Sequence, residues 1–215
     1  MIGLLIKDWQ LMKRQARYYG IVALLACAMC FAAGSRDYSS FITSYLTFMI
    51  SMYSISSFTY DEYENGMAFL MALPCGRRDY VREKYLFSFL LITGGWLIGI
   101  LLRLLFFLIR FSAAEYLEQL PGEPVYLLLC LMYVGCTIPI LIKYGVEKGR
   151  GIAFGALAIL AVGVFSIAKC GILKNVNRLS TLSPAVVLSI LLTACVLILG
   201  IAYVLSVRMM EKKEF

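Results

Sequence analysis

Residues 60–85 read YDEYENGMAFLMALPCGRRDYVREKY. Nine of these side chains are charged, in a chain of 215 residues of which only 15% carry charge. Apolar runs flank the stretch on both sides, yet its own centre, MAFLMAL, is apolar as well. What such a stretch does depends on which side of the flanking runs it occupies, and that follows from the rest of the chain.

The chain is 61% hydrophobic, has no histidine, and has a mean hydropathy of +0.84. A soluble domain is nearer half apolar and about a quarter charged. The surplus apolar surface must face lipid. A crossing takes roughly 20 apolar residues for ~30 Å of hydrocarbon, so there is room for about six and for no separate soluble domain. The expected fold is an all-α polytopic membrane protein with spans near 18–34, 40–59, 85–109, 124–142, 151–168 and 184–206. Ser183 and Pro184 mark the start of the last span, and Pro139 predicts a kink in the fourth.

Orientation follows from the distribution of Lys and Arg. Fourteen of the 20 flank the spans on the side of both termini, residues 60–84 and residues 143–150. Five (Arg36, Arg110, Lys169, Lys174, Arg178) lie opposite, and Arg103 falls within the third span. Both termini and the 60–84 loop are therefore expected in the cytoplasm, in a multi-pass protein of the cell membrane. The net charge of +7 is a topology signal and does not indicate nucleic-acid binding, which needs a basic patch on a soluble platform.

Before the first span, residues 1–17 form an amphipathic pattern. Ile2, Leu5, Trp9, Met12 and Ala16 share one face, while Lys7, Gln10, Arg14 and Arg17 oppose them, with Lys13 at the boundary. That suits an interfacial helix whose cations meet lipid phosphates. The alternative is a helix packed on the protein itself.

Several chemistries are excluded. No lysine is followed by Ser or Thr, so a phosphate loop of the GxxxxGK[ST] type is absent. Without histidine there is no HExxH site and no Ser–His pair. No metal-site spacing is present, and the four aspartates lie outside the spans, so no catalytic residue is expected. Cys27 and Cys30 form a CxxC inside an apolar run and read as packing residues. Arg103 is the clearest ionisable group within a span, with no acidic partner in any span. It either snorkels outward or makes a structural hydrogen bond, or else it lines a substrate path. Small residues four apart recur (Ala28/Ala32, Gly95/Gly99, Gly151/Gly155), and Gly151 and Gly155 are the first choice for a helix–helix seam.

In the opening stretch, an acidic cluster (Asp61, Glu62, Glu64) precedes Asn65–Gly66, a short apolar helix, Pro74, and the basic pair Arg77 and Arg78. The helix covers roughly 10 Å at ~1.5 Å per residue. It is sized to fill a groove in a partner, and equally to lie on the membrane interface.

The order of these features resembles the signature loop of small ABC-2 type transporter permeases of Gram-positive bacteria. There an acidic stretch leads through a short helix and a Leu-Pro to an Arg, then to a helix carrying Lys-Tyr into the third span. MIGLLIKDWQLMKRQ resembles the same family's elbow helix. The resemblance covers the whole chain in layout, with its specific motifs confined to residues 1–17 and 61–86. Cys75–Gly76 departs from it, standing where the family usually has an Ile-Ser-type pair.

The resemblance implies a permease that pairs with a second copy or a paralogous permease and docks two copies of a cytoplasmic ABC ATP-binding subunit. ATP and Mg would be bound by that partner and no cofactor by this chain. Glu64, Asn65, Met67, Phe69 and Leu70 would dock on the ATPase, and Leu73, Pro74, Arg77 and Arg78 would shape the turn. The implied task is export of an amphipathic substrate, a peptide by family precedent. The competing readings are an ATP-independent secondary carrier and a membrane immunity or sensor protein.

Overall fold

A computed structural model describes residues 2–33, 39–63, 66–72, 76–110, 116–117, 119–169 and 184–213. Seven helices run through them: α1 (Ile2–Ala33), α2 (Ser40–Glu62), α3 (Gly66–Ala72), α4 (Arg77–Arg110), α5 (Glu123–Tyr144), α6 (Val146–Lys169) and α7 (Pro184–Lys212). A 3₁₀ turn, Leu120–Gly122, leads into α5. Three stretches are long and apolar enough to cross a bilayer: Arg77–Arg110, Leu120–Tyr144 and Val186–Lys212. Gly20–Ala32 is a shorter apolar stretch within α1.

The amphipathic segment and the first apolar run form one uninterrupted helix rather than an elbow followed by a span. The Pro at the first position starts α7 where the sequence placed it. By contrast, α4 begins at Arg77, eight residues before the expected apolar boundary. Its charged first turns are helical because other helices supply partners for them, as described below.

The most extensive pairing joins α2 to α4, and the next joins α5 to α7. Small hydroxylated residues make α2 narrow enough for the first. Thr47 and Ser51 return their hydroxyls to their own backbone, at Thr43 O and Phe48 O, both at 2.6 Å. Ser54 and Ser88 share a hydroxyl–hydroxyl hydrogen bond across the seam. On α4, a Cβ at Gly99 would lie 3.0 Å from Thr43 Cα, so only glycine permits this approach. The close seam therefore involves Gly95 and Gly99. At Gly151 and Gly155, the sequence's first choice, an added Cβ meets nothing within 4 Å.

Pro139 sits inside an unbroken α5. A proline cannot donate to the carbonyl four residues earlier, which here is that of Gly135. Tyr85 fills the vacancy, its hydroxyl donating to Gly135 O at 3.2 Å while hydrogen bonding Ser206 at 3.0 Å. One hydroxyl thus ties α4 to both α5 and α7. Tyr85→Phe is expected to cost about 1–3 kcal/mol, because a half-buried carbonyl loses its donor. A lowered thermal midpoint for the detergent-purified protein would show it.

At the end of α5, Gly145 adopts φ +77° and its N–H returns to Leu141 O at 2.9 Å. The Glu62 carboxylate then accepts the first amide of α6, from Val146, at 2.7 Å. The end of α2, the loop after α5 and the start of α6 therefore meet at one end of the bundle, beside α3.

Candidate functional site

Lys84 lies two turns into α4, with its side chain 1% exposed. A buried ammonium needs carboxylates and hydrogen bonds to offset lost hydration. Its Nζ lies 2.5 Å from Asp8 Oδ2 of α1 and 2.7 Å from Asp61 Oδ2 of α2. It also donates to Ser57 Oγ at 2.5 Å, and Ser57 in turn donates to Asp8 at 2.9 Å. The Tyr80 hydroxyl donates to Asp61 Oδ2 at 3.0 Å. The rings of Phe58 and Tyr80 stand 5.3 and 5.4 Å from the ammonium.

Lys7 closes the cluster from α1, pairing with Asp61 and lying 3.3 Å from Asp8. This lysine, expected at lipid phosphates, is turned inward. Trp9, Lys13, Arg14 and Arg17 keep exposed positions along α1. Glu83 is buried beside Lys84, but at 3.9 Å its oxygens are beyond hydrogen-bond reach. Burial pushes the Asp61 carboxyl upward, yet Lys84 and Lys7 outweigh it and hold the group below its ordinary range.

This ionic joint lies directly under α3. A Cβ at Gly66 would lie 2.9 Å from Asp61 O, so α3 starts pressed against the end of α2. Of the residues assigned to docking, Met67 is buried in the protein's own core and Leu70 packs against it. Phe69 points away and is 70% exposed. Glu64, Asn65, Leu73 and Pro74 lie outside the described residues. Arg77 and Arg78 bind the last helix, Arg77 at Glu211 O (2.6 Å) and Arg78 at the Glu211 carboxylate (2.5 Å). Thus α1, α2, α4 and α7 are tied together at the end of the bundle where α3 packs on α2.

A second buried cluster closes the opposite end of α4. Arg103 is 1% exposed and forms an ion pair with Glu123, at the start of α5. It donates to Ser39 at 3.2 Å and to the Gln119 side chain. The rings of Phe107 and Tyr116 lie 5.7 and 5.8 Å from its guanidinium. Trp96 fixes the same turn by donating to Glu123 O at 2.9 Å. Arg103 therefore does not snorkel, and its acidic partner lies one residue before the expected fourth span. Lys84 and Arg103 are separated by about 28 Å along the helix at ~1.5 Å per residue, close to the ~30 Å of a hydrocarbon core.

Sequence reasoning passed over Asp8, Ser57, Tyr80, Glu83 and Lys84. Asp8 is the one acid among the cations of residues 1–17, and Glu83–Lys84 immediately precede an unbroken apolar run. Both are charges at the edge of lipid that need partners, but only packing shows that they answer each other. Among the described residues, no group of three His, Cys, Asp or Glu is arranged to hold a metal ion.

The chain therefore presents a membrane bundle clamped by buried charge at both ends, with a short exposed helix mounted on one clamp. No curated protein and no solved structure matches it. A family model described as ABC-2 family transporter protein matches residues 3–211. The protein accordingly belongs to the ABC-2 transporter family, whose members are membrane permeases of ABC-type transporters and work with a separate ATP-binding subunit.

Proposed function

We propose that this chain is the membrane half of an ABC exporter, with six spans and both termini in the cytoplasm. It pairs with a second copy or a sister permease. In this reading α3 is the coupling helix and Phe69 its principal anchor in a groove of the ATP-binding subunit, two copies of which bind ATP and Mg. The observation that carries it is the placement of Phe69, an exposed aromatic on a short helix braced from beneath by the Lys84 joint. A large apolar side chain held rigidly in solvent is typical of an interface anchor. Because α1, α2, α4 and α7 all meet at the base of α3, displacement of that helix moves several spans as one body. The substrate class this suits is an amphipathic peptide taken from the membrane.

The test is co-expression with an ABC ATP-binding subunit. Phe69→Asp is expected to abolish copurification while leaving the permease's thermal midpoint nearly unchanged, since the side chain is largely exposed. A complex that survives the change removes Phe69 as the anchor. Nucleotide-dependent peptide uptake by inside-out vesicles, lost in the same variant, would test the export step.

A further inference from the structure

Two hollows open between α2, α5 and α6 at the α3 end, of about 370 and 290 Å³. They share Arg150 and Ser56. The first places the hydroxyl-bearing side chains of Ser56, Thr59, Tyr60 and Tyr63 around Arg150. The second is mainly apolar and includes Met52, Ala153 and Phe154 in its wall. Met52 lies one turn before Ser56 on α2, and Phe154 one turn after Arg150 on α6. The second hollow thus runs from the first toward the middle of the bundle.

Arg150 is half-buried. Its Nη2 donates to Thr59 Oγ1 at 2.6 Å and reaches Ser56 Oγ at 3.5 Å, both neutral groups. No carboxylate lies within ion-pair distance of it among the described residues. Lys84 and Arg103, the cations of the two clamps, each have carboxylates. The nearby Glu62 is engaged with the Val146 amide and lies 3.8 Å from Lys213, and Glu147 is exposed. Among the described residues, the charge of Arg150 is therefore answered by hydroxyls and by no carboxylate.

We propose that this cleft binds one anionic phospholipid, with its phosphate on Arg150 and an acyl chain along Met52, Ala153 and Phe154. This rests on the reading that the α3 end lies at a membrane face. A planar guanidinium matches a phosphate in fork geometry, and basic pockets between spans are a recurring way to hold anionic headgroups. Tyr60 and Tyr63 line the same hollow at headgroup depth. Phe154 is exposed, so the tail side opens laterally to lipid. A zwitterionic lipid brings its own cation and answers the arginine less well.

The detergent-purified permease would be titrated with phosphatidylglycerol, phosphatidylcholine and inorganic phosphate, with bound lipid counted by native mass spectrometry. Phosphatidylglycerol is expected to be retained in preference to phosphatidylcholine. Arg150→Gln should weaken retention about tenfold, the loss of one charge-assisted phosphate contact. Arg150→Lys, which keeps the charge without the fork, should fall between, and guards against a misfolded glutamine variant. Ala153→Phe, which fills the tail hollow, should release lipid with Arg150 intact. Equal retention of phosphatidylcholine, or unchanged retention in Arg150→Gln, would overturn the proposal. So would inorganic phosphate binding as tightly as the lipid, which would mark a free-anion site. None of these readouts involves transport or an ATPase, so the lipid site can fail independently of the export reading.

Discussion

Lys84→Met is expected to destabilise the permease by about 3–5 kcal/mol, because it leaves two buried carboxylates without their shared cation. For a chain of this size that corresponds to a fall of about 10 °C or more in thermal midpoint. Asp8 would keep the Ser57 hydroxyl, and Asp61 would keep Tyr80 and Lys7. Lys7 would then be left to answer two carboxylates, so the joint would keep an uncompensated negative charge in a buried setting. Removing one acid in the same background (Asp8→Asn) should restore most of the stability, since Lys7 then balances Asp61 alone. If the single Lys84 variant melts like the wild type, the joint does not hold the bundle together.

The pH dependence has a definite sign. The Asp61 carboxyl is held below its ordinary value, with Lys84 and Lys7 outweighing burial. The stability from its pairing is therefore present above the unfolded-state value near ~4. It is lost as pH falls through the lower folded-state value. Acid unfolding of the wild type should thus begin below that range, and Lys84→Met should move it upward. A change toward alkaline instability would contradict the assignment. Tryptophan fluorescence followed during acid titration is a suitable readout.

At the other end, Arg103→Met is expected to have a comparable effect, about 3–5 kcal/mol, through the orphaned Glu123. Glu123 is as deeply buried as Arg103 and pairs with no other cation among the described residues. The double variant Arg103→Met, Glu123→Met should recover most of the loss. A cation that lined only a substrate path would give a different pattern. Its removal would leave the melting temperature unchanged and depress transport alone. A doubly apolar variant that is stable but transport-dead would give Arg103 both roles, since the clamp would then have been replaced without its chemistry.

The charge pattern at 60–85 and the long apolar runs were enough to read a helical membrane bundle with a short exposed helix. The α7 start at Pro184 was legible because proline has a fixed preference for the first helical turn. The beginning of α4 was not, because hydropathy cannot distinguish solvated charge from charge answered by another helix. For the same reason Lys7 read as a lipid contact, although Asp61 lies 54 residues away in sequence and beside it in space. Gly151 and Gly155 were the first choice for a seam ahead of Gly95 and Gly99, since a small residue records permission for close approach and not the approach itself.

Within α3, composition marked Met67, Phe69 and Leu70 alike as apolar. Which of the three stays exposed was decided by the helix's rotation on the core beneath it, a property of the assembled bundle. The sequence alone determined the elements and the apolar character of the chain, because local hydropathy and proline stereochemistry act over one or two turns. Only the tertiary structure decided which charges are partners, leaving Lys84 and Arg103 answered by carboxylates and Arg150, among the described residues, held by hydroxyls. An ion pair is a relation between distant segments, and its energy exists only once packing has excluded water from both.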